Sequence, residues 1–211
     1  MIIRYLISAV LGYLLGSISF AILITKGFLK KDVRTMGSGN AGATNVARVF
    51  GFGIGAATFV GDVLKTVVSM KIGEYLGGET GMVLAAAGCF IGHSWPIYYH
   101  FKGGKGVSVG AAIGFMLDVR LFIALVIIFF IVALSTKIVS LASITVAAAF
   151  PVILLLLGGK SLEVIVLGFF LGATVIYLHR SNIKRLLKGE EPKFKAKSAR
   201  NTSNKDYGGK R

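Results

Sequence analysis

Residues 37–48 read GSGNAGATNVAR. The first six spell G-x-G-x-x-G, and Asp62 lies twenty residues after Gly42, the layout of a dinucleotide-binding βαβ unit. Read that way, the chain is an α/β protein. The flanks decide otherwise. Residues 2–25 and 52–75 are long apolar runs rather than a strand and a short helix, and Asp62 falls inside the second run. About twenty apolar residues are what a helix needs to cross a bilayer. The glycines therefore belong to a loop between two membrane spans, and the Asp62 spacing is coincidental.

Composition agrees. Of 211 residues, 55% are apolar and 16% charged, with a mean hydropathy of +0.76, which excludes an ordinary soluble domain. Residues 1–26 are not read as a secretory signal, because the apolar run is too long and no clear cleavage site follows. The single cysteine, Cys89, sits in an apolar run and is expected to be a packing residue.

Seven apolar segments follow one another: residues 2–25, 52–75, 81–98, 106–117, 121–134, 139–157 and 162–178. The fourth and fifth are short and invite fusion into one tilted span. Charge argues against fusion. With seven spans, one face holds 19 of the 24 Lys and Arg, while Arg4, Lys71, Arg120 and Lys160 lie on the other and Lys65 lies within a span. The positive-inside rule then puts the N-terminus outside and the C-terminus in the cytoplasm. Asp118 and Arg120 mark the break between segments four and five. The expected fold is an all-α integral membrane protein with seven transmembrane helices and glycine-rich cytoplasmic loops forming the active site. Residues 1–191 form the membrane domain, and residues 192–211 a basic tail expected to be disordered and to adhere to anionic headgroups.

Three clusters face the cytoplasm in this topology. In the first, glycines let backbone N–H groups converge on an anion, and Ser38 or Asn40 is placed to cap the helix that follows. Asn45 and Arg48 share one face of that helix, and Arg48 adds full charge. The second is GHSWPIYYHFKGGKGVSVG, residues 92–110, with Lys102 and Lys105 flanking Gly103 and Gly104. It does not fit a Walker loop, and no acidic magnesium site accompanies it. The third is HRSNIKRLLKGEE, residues 179–191, where His179 and Asn182 can face one way. Ser143, at the start of the sixth span, is a smaller signal. His93, His100 and His179 share the face, yet surplus cations and scarce carboxylates oppose a metal site. Asp62 and Lys65 lie on one helix face inside a span, either as a functional pair or as a mutual ion pair that permits burial. These residues alone reach as far as an enzyme or binder for phosphorylated lipid precursors. A small-anion transporter is the alternative, weakened by short outer loops with few anion ligands.

Together, the three clusters resemble the signature motifs of the bacterial acyl-phosphate:glycerol-3-phosphate acyltransferases, and their order, spacing and seven-span layout are similar over about residues 1–191. At one position the likeness fails: Thr66 follows Lys65 where the family pattern has glycine. The resemblance implies transfer of a fatty acyl group from acyl phosphate to the 1-hydroxyl of glycerol 3-phosphate, at the cytoplasmic face of a bacterial inner membrane. It implies Lys105, His179 and Asn182 as catalytic residues. It implies Ser38, Gly39, Asn40, Gly42, Thr44, Asn45, Arg48, His93, Lys102, Gly103, Gly104 and Ser143 as substrate or phosphate ligands. Either a histidine or substrate phosphate serves as base. No cofactor, metal or nucleic acid is expected, and the protein is expected to be a monomer among membrane lipids. The H-x-x-x-x-D motif of acyltransferases that use coenzyme A is absent, which disfavours that donor.

Overall fold

The computed structural model describes residues 1–194, so the basic tail at 195–211 lies outside the described residues. All regular elements among the described residues are helices. α1 (Ile2–Gly16) buries Ser8, Gly12 and Gly16, spaced four apart on one stripe. Residues 17–19 interrupt it. The chain resumes as α2 (Phe20–Ile22) and a π-helical turn, Leu23–Phe28. The first apolar segment is thus a broken helix. After a loop with a 3₁₀ turn at Val33–Thr35 come α3 (Ala43–Phe50) and α4 (Phe52–Ser94), separated by Gly51 with φ of +95°.

α4 has 43 residues. Straight, it would reach about 65 Å, twice the hydrocarbon thickness. It is instead a hairpin. Gly77 and Gly78 leave helical dihedrals, Gly78 at φ of +62°. A Cβ on Gly73 would run into the Gly81 carbonyl and the reverse, and Ser69 Oγ donates to the Ala85 carbonyl at 3.3 Å. The second and third expected segments are its two arms, the third ending at Ser94 rather than residue 98.

The small-residue stripe of α1 lies on the second arm. Cβ atoms on Gly12 and Gly16 would meet the backbone of Ala85 and Cys89, and those on Gly88 and Gly92 would meet Ala9 and Tyr13. Such reciprocal small-residue contact lets helix backbones approach closely where lipid offers no hydrophobic drive. Gly12→Leu is expected to cost more than the ~1–3 kcal/mol of ordinary overpacking, because backbone rather than a side chain must yield. Gly53→Ala, with open space around it, is the matched control. Thermal unfolding in detergent separates them: a clear drop for the first, no drop for the second.

α5 (Val107–Leu117) is short, and Asp118 at φ of −166° separates it from α6 (Val119–Thr136). Asp118 accepts from Arg120 N at 2.9 Å and pairs with Lys160 at 3.0 Å, so the charged break read from sequence is a capped helix start. α7 (Val139–Leu157) and α8 (Leu162–Leu178) complete the bundle. α9 (Arg180–Leu187) leaves α8 at a 58° bend. Among the described residues, four helical segments are long and apolar enough to cross a membrane: Ile2–Phe28, Phe52–Tyr99, Val119–Thr136 and Val139–Leu157. Leu162–Leu178 with α9 adds a fifth. The core joins Met70, Cys89, Phe90, Ile113, Leu121, Phe150 and Leu171. Large apolar side chains such as Leu6, Ile131 and Leu156 are exposed, as on a lipid-facing surface.

Candidate active site

At one end of the bundle lies a cavity of about 600 Å³. Four helices begin at its wall: α3, α5, α7 and α9. None of the four has a side-chain cap. Each therefore leaves unsatisfied N–H groups and the positive end of its dipole there. Gly42, not Ser38 or Asn40, holds the N-cap position of α3. Arg48, Lys105 and Arg185 line the same space, against a single carboxylate, Glu191. An anion, and room for more than one phosphate, is what this surface accommodates.

The first loop is built by Asn45. Its amide Nδ2 donates to the carbonyls of Val33, Met36 and Asn40 at 3.0–3.2 Å, and its Oδ1 accepts from Ser38 N at 2.9 Å. Gly37, at φ of +58°, lies against that amide, where a Cβ would collide with Oδ1. Asn45 thus spends its polar atoms shaping the loop. Ser38, Asn40, Gly42 and Thr44 line the cavity; Gly39 does not.

In the second cluster Lys105 and His93 line the cavity as expected. Lys102 is exposed and does not line it. Gly103 and Gly104 do not line it either. Cβ atoms there would strike His93, and Gly104 N donates to the His93 carbonyl at 3.0 Å. Their smallness lets the loop close on His93. Lys105 Nζ donates to Asn182 Oδ1. Burial, then the nearby Arg185, Arg48 and Arg180 against an opposing Glu191, bring the lysine down to about 8.

In the third cluster the bend at His179 turns Asn182 inward, and both are buried. His179 Nδ1 contacts the Val175 carbonyl at 2.8 Å. A donor there leaves Nε2 as the ring's acceptor. Burial, reinforced by Lys105 and opposed by the Val175 contact, pushes His179 down to about 4, so it is neutral. Ser143 lines the cavity, its hydroxyl donating to its own helix at Val139 O, 2.9 Å.

Glu191 corrects the expectation of a site almost without acid. Its carboxylate accepts from Ser140 Oγ at 2.7 Å, Asn182 Nδ2 at 2.6 Å and Arg185 Nε at 2.7 Å. Burial works against its charge, and these three donors outweigh it, so the carboxyl sits below its usual range. Gly189, at φ of +69°, turns the chain back after α9 and delivers it. Pro192 also lines the cavity, and Phe194 N donates to the Lys137 carbonyl at 2.7 Å, so residues 192–194 continue along the bundle.

Below the cavity lies a second polar group. Lys65 Nζ is 2.9 Å from Asp62 Oδ1, 3.2 Å from His93 Nδ1, and donates to the Gly16 and Ile18 carbonyls at 3.0 and 2.8 Å. The ion pair expected from sequence thus also satisfies the carbonyls freed where α1 breaks.

A membrane-type helical bundle whose polar cavity gathers cations and helix N-termini is the architecture of a membrane-embedded protein acting on phosphate esters. The chain belongs to the glycerol-3-phosphate acyltransferase family, whose model matches residues 6–189. The glycerol-3-phosphate acyltransferase of Thermoanaerobacter pseudethanolicus is 41% identical over 192 residues, covering 91% of this chain and 96% of its own. That of Clostridioides difficile is 43% identical over 201 residues, covering 92% and 97%. A crystal structure of PlsY (YgiH), an integral membrane glycerol 3-phosphate acyltransferase in its glycerol 3-phosphate form, superposes with a TM-score of 0.85 at 35% identity, covering 90% of this chain and 96% of that one. Its lysophosphatidic acid form gives 0.83 at 34% identity. This chain is an all-helical integral membrane protein of an acyltransferase family.

Proposed function

We propose that this chain transfers a fatty acyl group from acyl phosphate to the 1-hydroxyl of glycerol 3-phosphate, yielding lysophosphatidic acid and inorganic phosphate. The observation that carries the reading is the cavity itself, with four uncapped helix N-termini and three cations around one carboxylate. Arg48, with the N-termini of α3 and α5, binds one phosphate. Ser38, Asn40, Gly42 and Thr44 line that side. The glycerol oxygen attacks the carbonyl carbon, the bond from that carbon to the phosphate oxygen breaks, and phosphate leaves with the electron pair. Lys105, held by Asn182, stabilises charge developing on the carbonyl and phosphate oxygens. Holding both substrates in one cavity supplies much of the acceleration.

The proton of the attacking hydroxyl goes to phosphate. His179, held down to about 4, is a weaker base than a phosphate ester, whose second pKa is about 6. Its Nε2 and Ser143 orient the acceptor. Lys105 must be cationic to act. Its contribution is full well below about 8 and is lost as pH rises through that value. kcat/KM, measured from neutral to alkaline pH, is expected to fall along a limb centred near 8.

Seven crossings suit the molecule: α1 with its continuation, the two arms of α4, and α5 to α8. α3, α5, α7 and α9 all start at the cavity, which agrees with alternating passage. The excess of Lys and Arg at that end supports a cytoplasmic cavity with the N-terminus outside; a bacterial inner membrane and a monomeric state belong to the same proposal. Incubation with palmitoyl phosphate and glycerol 3-phosphate bearing oxygen-18 at the 1-hydroxyl tests the reaction. The label is expected in the ester oxygen of lysophosphatidic acid, with unlabelled phosphate released. No lipid product, together with phosphate flux in vesicles, would establish the transporter alternative.

A further inference from the structure

The loop that carries Lys105 is pinned on both sides of it by contacts that lead to a buried carboxylate outside the cavity. Ahead of Lys105, Gly104 rests on the His93 ring and backbone. Behind it, a side chain on Gly106, at φ of +81°, would strike Phe90. Then Ser108 Oγ donates to Asp62 Oδ2 at 3.0 Å. Asp62 Oδ1 is 2.9 Å from Lys65 Nζ and 3.5 Å from His93 Nδ1. The Asp62–Lys65 pair therefore reaches the anchor on each flank: Ser108 through Asp62 Oδ2, and His93 through Lys65 Nζ, 3.2 Å from its Nδ1. Asp62 is 1% exposed, and neither it nor Lys65 lines the cavity. Burying two charges costs free energy that simple packing does not require. What this carboxylate adds is a fixed distance between a frame, α4 with α1, and the segment 104–108.

We infer that Asp62 is a positioning residue for Lys105, acting through the Ser108 hydroxyl and, by way of Lys65, the His93 ring. Lys65 fixes Asp62 in turn, by tying it to the Gly16 and Ile18 carbonyls at the break in α1. A displaced loop would still bind substrate phosphate through Arg48 and the α3 N-terminus, but would deliver the lysine out of register with the reacting carbonyl. Misplacement of about 1 Å can cost on the order of a hundredfold. The inference rests on Lys105 being the cation that serves the reaction.

Ser108→Ala cuts the link without stranding a charge. Ser108→Thr keeps the hydroxyl. Each is compared with wild type for kcat and both KM values, using palmitoyl phosphate and glycerol 3-phosphate, with thermal unfolding as a control for folding. Expected is a roughly tenfold lower kcat for Ser108→Ala with both KM values within about twofold, and recovery of most of it in Ser108→Thr. In an Asp62→Asn background, the effect of Ser108→Ala should shrink at least threefold, because the charged acceptor is gone. An unchanged kcat, a rise in KM alone, or the same loss in both backgrounds would overturn the inference, the last two making Ser108 a direct substrate ligand. If Asp62→Asn does not fold, the Ala and Thr variants decide it. Inactive wild type would instead overturn the acyl-phosphate reading, so the two failures are distinct.

Discussion

Lys105→Ala is expected to lower kcat/KM for glycerol 3-phosphate acylation by about a thousandfold, roughly 4 kcal/mol of transition-state stabilisation. The size follows from position. Lys105 lines the cavity and is held against Asn182, itself held by Glu191, so the ammonium is placed before substrate arrives. A preorganised charge in a water-poor site costs no rearrangement during reaction. Lys105→Arg keeps the charge but needs room for a planar group beside Asn182 and Arg185. It is expected to recover only a small part. Steady-state kinetics on folded protein checks both. A loss below tenfold for Lys105→Ala would mean the helix N-termini carry the developing charge without it.

The second large effect is on stability. Lys65→Met leaves the Asp62 carboxylate buried with no compensating cation, and frees the Gly16 and Ile18 carbonyls. Breaking a buried pair from one side costs about 3–5 kcal/mol, a large share of any protein's net stability. Expected are poor yield and a much lower unfolding midpoint in detergent. Asp62→Asn combined with Lys65→Met removes both charges and should regain a large part of the stability, while activity stays low because the Ser108 anchor has lost its charged acceptor. A Lys65→Met protein as stable as wild type would contradict the role given to this pair.

The helices were largely legible from hydropathy and charge. Segments at 139–157 and 162–178 coincide with α7 and α8, and Asp118 with Arg120 marked a true helix start. The break in α1 was not legible, because Ser17 and Ser19 look like small packing residues. What makes it tolerable is Lys65, nearly fifty residues on. The three clusters did come together. Within them, sequence gave no way to separate glycines that border the cavity from Gly103 and Gly104, whose role is to let a loop close on His93. Asn45 reads as a ligand through the family resemblance, whereas its amide is consumed by the loop's own carbonyls. Glu191 was missed although its signal was present: Gly189 follows Leu187 and Lys188 at the end of an amphipathic stretch, the pattern of a helix stop that reverses the chain. Its consequence, a carboxylate returned to Ser140, Asn182 and Arg185, depends on where α7 lies.

The central claim is that one cavity, walled by three separate loops, uses acyl phosphate as donor. Its most direct measurement is product formation in detergent from glycerol 3-phosphate with palmitoyl phosphate, and separately with palmitoyl-CoA. Lysophosphatidic acid is identified by mass spectrometry for wild type and for Arg48→Ala, Lys105→Ala and Asn182→Ala. The account predicts product from palmitoyl phosphate alone, with equimolar phosphate, and severe loss in all three variants. Product from palmitoyl-CoA, or undiminished turnover in any one of the three, would contradict it.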